Sequence, residues 1–129
     1  MPPRVLGRRA VMAGAILGAI GLTACDRPVY TVNNVAFGGT GTLQQRTAQI
    51  LEAAQALEWQ ARPTGPGRIR MTYTWTEHRI VLDAVFDENA FSLFYAGSVG
   101  LRYDSTNVHR AYNRRVRELE RQIQVRALS

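Results

Sequence analysis

The stretch Ile69-Arg70-Met71-Thr72-Tyr73-Thr74-Trp75 alternates apolar and polar side chains without a break. Successive side chains of a strand point to opposite faces. This period of two therefore describes a half-buried strand, with Ile69, Met71, Tyr73 and Trp75 against a core and Arg70, Thr72 and Thr74 toward water. Downstream, Thr76-Glu77-His78 reads as a turn and Arg79 to Phe86 as a second strand, with Ile80, Leu82, Ala84 and Phe86 on one face and Val81, Asp83 and Val85 on the other. Asp87-Glu88-Asn89 turns the chain again, and Phe91, Leu93 and Tyr95 alternate with Ser92 and Phe94 in a third. Upstream, Trp59-Gln60-Ala61 starts a further strand, turned by Pro63 and the Thr64-Gly65-Pro66-Gly67 cluster. Short turns between consecutive strands force antiparallel neighbours, so 59–96 is expected to be a meander of three to four strands.

A one-sided sheet needs a cover, and two segments supply one. Thr42 with Gln45 three residues later forms a capping box. Leu43, Thr47, Ile50, Leu51, Ala54 and Leu57 then recur at helical spacing, flanked by Gln44, Arg46, Gln49, Glu52 and Gln55, which predicts a helix over 43–57. After a loop over Ala96 to Gly100, a final helix is capped by Thr106 or Asn107. Its apolar stripe is Val108, Tyr112, Val116, Leu119 and Ile123, and Arg110, Arg114, Arg117, Glu118, Glu120 and Arg121 lie outside it. The expected fold class is α+β, a two-layer sandwich of an antiparallel meander covered by two helices, in the order α-β-β-β-β-α.

The other end of the chain has a different character. Met1 to Arg9 is basic through Arg4, Arg8 and Arg9, and Ala10 to Ala24 is apolar or small throughout. An apolar run of roughly 7 to 15 residues suits an export signal, whereas a membrane-spanning helix needs about 20. The run ends in Leu22-Thr23-Ala24-Cys25, which resembles the lipobox of bacterial lipoproteins: small residues admit the peptidase to the backbone, and the Cys25 thiol is the nucleophile that takes up diacylglycerol. The expected organisation is a signal peptide over 1–24, a lipidated N-terminus and tether over 25–42, and a globular domain over 43–129. Within 25–42, Pro28, Asn33-Asn34 and the Gly and Thr run over 38–42 read as tether or edge-strand material. Arg8-Arg9 partly resembles a twin-arginine export motif but departs from it at Gly7 and in lacking a following Lys. Asp26 resembles a signal for retention in the inner membrane, and an inner or an outer membrane location fits the sequence.

Composition narrows the chemistry. The formal charge is +6, all sixteen basic residues are arginines, and three of them lie in the leader, so the part after it carries 6 − 3 = +3. That mild excess suits a surface facing anionic headgroups and equally an ordinary solvated face. The one Cys is assigned to lipid, and two histidines without metal-ligand spacing predict neither a metal site nor a cofactor. Gly38-Gly39-Thr40-Gly41 lacks the Lys of a phosphate-binding loop. Polar groups converge once, in Leu101 to Asn113: His109 and Asn113 lie at i and i+4 on one helix face beside Tyr112, with Tyr103 and Asp104 just upstream. Two readings follow. Tyr103, Asp104, His109, Tyr112 and Asn113 line a small polar pocket, or Asp104 caps the helix, His109 and Asn113 satisfy backbone groups, and the tyrosines plug the core edge. The second is preferred, because no nucleophile stands beside the histidine.

From about Leu43 to Val125 the chain resembles a group of small bacterial lipoproteins of uncharacterised function. The resemblance lies in Ala56-Leu57-Glu58-Trp59, in Phe91-Ser92-Leu93-Phe94-Tyr95, and in Leu101-Arg102-Tyr103-Asp104, Val108-His109 and Tyr112-Asn113. It departs from that group at Arg115, where an aromatic is usual, and at Glu58, where Gly is usual, so the end of the first helix is expected to be built differently. The resemblance implies the fold and an envelope location, and no activity. The function expected is that of a membrane-anchored envelope lipoprotein on the periplasmic side, a non-enzymatic binding or accessory module with a protein partner. The alternative is a small hydrolase or ligand-binding domain centred on Asp104, His109 and Asn113. Nucleic acid is not an expected partner, since export removes the chain from it.

Overall fold

A computed structural model describes residues 29–99 and 105–128, with side chains described from Arg110 onward in the second span. Signal residues 1–24, Cys25, and Tyr103 and Asp104 lie outside the described residues, as does the His109 side chain. The elements run β1 (Val32–Ala36), α1 (Leu43–Ala56), β2 (Gln60–Gly65), β3 (Arg68–Trp75), β4 (His78–Phe86), β5 (Ala90–Val99) and α2 (Ser105–Ala127). One five-stranded antiparallel sheet in the order β1-β5-β4-β3-β2 carries both helices on one face. The α+β class and the meander agree with the sequence reading.

The strand count does not. The sheet has five strands, not three to four, and the order opens with a strand, because Val32–Ala36 pairs antiparallel with β5 through Val32 opposite Leu93 and Val35 opposite Phe91. The sheet thus takes in part of the stretch read as tether. Asn33-Asn34, which argue locally against a strand, are absorbed as an irregularity between Val32 and Val35, where Asn34 takes a positive φ of 56°. Burial is the reason the strand persists: Val32 and, just beyond it, Phe37 are almost wholly enclosed, and the Phe37 ring packs 5.1 Å from Phe91. β5 also outruns its predicted end at Tyr95. A bulge between Val81 and Leu82 of β4 lets Gly97, Ser98 and Val99 stay paired with β4, Gly97 opposite Val81 and Val99 opposite Arg79.

The capping box of α1 forms as read: Thr42 Oγ1 accepts from Gln45 N–H at 3.1 Å, and Gln45 Oε1 accepts from Thr42 N–H at 2.8 Å. The buried face of α1 is rotated from the predicted stripe. Ile50 and Ala54 are enclosed as expected, but Ala53 and Arg46 join them, while Leu43, Thr47, Leu51 and Leu57 are only partly covered. The exit of the helix keeps the geometry a glycine would make. Glu58 adopts φ 67°, Trp59 N–H reaches Ala54 O at 2.9 Å, and Glu58 N–H reaches Gln55 O at 3.1 Å. This is the paired-bond terminus usual for a left-handed residue after the last turn, at a cost of about 1 kcal/mol for a residue with a Cβ. The expectation of a different construction at Glu58 is thereby corrected. Trp59 follows directly and is buried against Tyr73, its ring 5.6 Å away and edge-on.

In α2, Tyr112, Val116, Leu119 and Ile123 are fully buried, as their spacing predicts. They press on the face of the sheet that presents Ile69, Met71, Ile80, Leu82, Ala84, Phe91 and Leu93. Among the described residues no helix is long and apolar enough to cross a membrane.

Candidate functional site

Of the five residues singled out in the sequence, the described structure places two. Tyr112 is fully buried in α2 with its ring edge-on to Tyr95 at 5.0 Å, and Tyr95 Oη donates to Ser98 Oγ at 2.8 Å. The Tyr112 hydroxyl has no hydrogen-bond partner among the described residues. Burial above all, then the neighbouring Tyr95 and the charge of Asp83, pushes its ionisation well above that of an ordinary tyrosine, so it stays neutral. Asn113, also buried, accepts the backbone N–H of Tyr30 at 2.7 Å through Oδ1. That bond joins the first described residues to α2, a satisfying role of the kind the preferred reading gave it, though toward the N-terminal segment and not the preceding loop.

A buried hydroxyl without a partner costs about 1–3 kcal/mol relative to an apolar group of the same shape. Tyr112→Phe is therefore expected to leave the thermal midpoint unchanged or to raise it by a few degrees. A clear fall in calorimetry, at unchanged secondary structure, would show the hydroxyl bonded within 100–109 and so favour an assembled polar pocket.

Around Tyr30 a small polar cluster fastens the chain to α2. The Tyr30 hydroxyl donates to Glu120 Oε1 at 2.7 Å, and the Arg117 guanidinium lies 4.6 Å from the ring centre. The Glu120 bond, assisted by burial, raises the Tyr30 ionisation above the usual phenol value.

At the far end of the sheet, Tyr73, Trp75 and His78 form a row of rings, with centroids 6.0 Å apart from Tyr73 to Trp75 and 5.3 Å from Trp75 to His78. Arg115 lays its guanidinium 3.9 Å from the Tyr73 centroid and 5.7 Å from that of Trp75. A planar cation lies over two rings, held by the quadrupoles beneath it. His78 is half-buried, where the sequence suggested an exposed turn residue.

The opposite face of the sheet is covered by no helix among the described residues. It presents Arg68, Arg70, Thr72 and Thr74 from β3, Arg79, Val81, Asp83 and Val85 from β4, and Phe94 from β5. Arg62 of β2 stands directly opposite Arg70, and Arg70 opposite Asp83. The latter two make a bidentate pair, Nε to Oδ1 and Nη2 to Oδ2, both at 2.8 Å. The Arg70 hydrogen bond holds the Asp83 carboxyl below the usual carboxylate range. Like charges facing across two strands destabilise a sheet, and Asp83 neutralises only one of the two. A shallow depression of 240 Å³ lies over this row, lined by Arg62, Thr64, Arg68, Arg70 and Asp83 among others. Arg62 and Arg68 make no ion pair there with any described residue. Such a surface offers guanidinium donors to carboxylates or phosphates.

No family model matches the chain, and none of the curated proteins matches it in sequence.

Proposed function

We propose that this protein is a membrane-anchored envelope lipoprotein, acylated on Cys25 and facing the periplasm, in which a compact α+β domain serves as a non-enzymatic binding or accessory module. The observation that carries the reading is the succession of a basic start, an apolar leader and Leu22-Thr23-Ala24-Cys25, with the folded domain under way four residues later at Val29. A thiol at the boundary between leader and domain is where a lipid belongs. Binding, and not catalysis, is supported by the uncovered sheet face: arginines from two strands, Arg62 and Arg68, make no ion pair with a described residue beside the Arg70–Asp83 pair, and they suit an acidic surface on a partner.

Metabolic labelling with a tagged fatty acid, followed by intact-mass analysis, tests the anchor. The wild-type chain is expected to begin at Cys25, to carry the label and to remain in the membrane fraction, and Cys25→Ala is expected to incorporate none. An unmodified Cys25 in a full-length cytosolic chain would overturn the proposal. Capture of the acylated protein from native membranes tests the face. The reading expects an acidic partner whose recovery falls at least tenfold with Arg62→Glu and Arg68→Glu, and it fails if recovery is insensitive to that change.

A further inference from the structure

We propose that α2 seats the domain on an anionic phospholipid surface through Arg110, Arg114, Arg117 and Arg121, so that the open sheet face points away from the bilayer; the inference rests on the Cys25 anchor. These four arginines recur at i, i+4, i+7 and i+11, and at 100° per residue all fall within a band roughly 60° wide. All four are exposed, and none makes an ion pair with a described residue. Their stripe lies on the side of α2 opposite Tyr112, Val116, Leu119 and Ile123, which face the sheet. Arginine stripe and open sheet face therefore occupy opposite sides of the domain.

Acids beside the stripe cancel it only in part, leaving four arginines against Glu118 and Glu120. Glu120 accepts from the neutral Tyr30 hydroxyl, keeps its charge and borders the stripe on one flank, and Glu52 of α1 faces Arg126 near the C-terminal end of α2 at 3.8 Å and not the stripe. Glu118 lies on the other flank. At the C-terminal end the stripe continues into Val125 and Leu128, which are 57% and 69% exposed, an apolar pair placed to meet the boundary between headgroups and acyl chains.

The length of the leash supplies the occupant. Cys25 and Val29 are separated by only three residues, and four residue steps span at most about 14 Å. At the end of that leash Tyr30 is pinned to α2 by its N–H to Asn113, its hydroxyl to Glu120 and its ring beneath Arg117. A lipid on Cys25 thus holds the Tyr30 attachment on the flank of α2, five residue steps away, within about 18 Å of the bilayer surface, whatever conformation residues 26–28 adopt. A basic residue kept near an anionic surface favours the bound orientation about fivefold, so four acting together set the orientation decisively at low salt.

The acylated full-length mature protein, reconstituted on vesicles, tests this directly. Cys25 is blocked by its lipid, so a single fluorophore can be placed through Gln124→Cys beside the stripe or through Thr74→Cys on the open face, and its quenching by headgroup-spin-labelled lipid can be read. On vesicles of phosphatidylglycerol and phosphatidylcholine, position 124 is expected to be quenched at least threefold more than position 74. The difference should collapse on pure phosphatidylcholine, in high salt, and with all four arginines changed to Gln. Arg114→Gln with Arg121→Gln, which leaves the Tyr30 contact intact, should halve it while the melting curve stays unchanged. Equal quenching at the two positions in an anchored protein, or a difference indifferent to lipid charge, overturns the inference and leaves the anchor standing. A mature protein that binds neither vesicle type overturns both.

Discussion

Arg46→Met is expected to destabilise the domain by about 3 kcal/mol, which for a chain of this size lowers the melting temperature by roughly 12–24 °C. Arg46 is fully buried in α1. Its Nε donates to Glu88 O at 2.9 Å, its Nη1 to Gln49 Oε1 at 3.1 Å and to Ala127 O at 3.4 Å, and its Nη2 to Gly39 O. The guanidinium lies 4.3 Å from the centre of the Phe37 ring. One side chain thus ties together the loop after β1, the turn between β4 and β5, and the end of α2. Replacing both members of a buried ion pair by apolar residues is often harmless, because both desolvation costs vanish together. That route is closed here, because three of the four acceptors are main-chain carbonyls that remain after substitution, and the Ala127 carbonyl is left buried without this donor. Methionine keeps most of the stem volume, so the loss reports the hydrogen bonds and not a cavity. Arg46→Lys should recover little, since one ammonium cannot span carbonyls from three separate segments. A chemical-denaturation midpoint for Arg46→Met within 1 kcal/mol of the parent would show that the carbonyls find other partners.

The same residue marks the limit of what the chain discloses in one dimension. Alternation in Ile69 to Trp75 and in Arg79 to Phe86 is a local signal, and the strands it indicates pair residue for residue. The spacing of Tyr112, Val116, Leu119 and Ile123 is equally local, and all four are buried. Arg46 looks like a solvated flank residue at that level, because apart from Gln49 one turn on, its partners lie 7 to 81 positions away and are backbone carbonyls without a sequence signature. β1 was concealed for a related reason. Asn33-Asn34 weaken a strand in isolation, and only pairing with β5 and burial of Val32 outweigh them. Gly97 and Ser98 read as turn residues, whereas a bulge in the β4–β5 ladder keeps the strand going to Val99.

The candidate site divides along the same line. Tyr112 was legible as a core plug because helical spacing points it inward. The partner of Asn113, the Tyr30 N–H, is 83 positions away, and Arg115 could be recognised only as an anomaly until the rings of Tyr73 and Trp75 were seen beneath it. The arginines of the open face are individually unremarkable in sequence. Their opposition across β2 and β3 is a property of register, and register follows from a turn.

That turn gives the second large effect. Gly67→Ala is expected to cost 3 kcal/mol or more, on the order of 1–2 from the left-handed backbone and the remainder from displacement of the β2–β3 turn. Gly67 has φ 69°, and a Cβ added there would lie 2.4 Å from Phe86 O, a main-chain atom with no freedom to retreat. Gly67 O also accepts from Phe86 N–H at 2.9 Å, so moving the turn breaks the bond that fastens it to the end of β4. Gly65, two residues earlier, provides the control. A Cβ there meets nothing within 4 Å and its backbone is not left-handed, so Gly65→Ala should be neutral or stabilise by about 0.4–1 kcal/mol through the unfolded chain. The pair also separates folding from binding. Arg62 and Arg68 flank this turn, so Gly67→Ala should weaken engagement of the open face even under conditions where the rest of the domain stays folded, while Gly65→Ala should not. Equal melting temperatures for the two variants would mean that the turn relaxes without strain and that the arginine register does not depend on it.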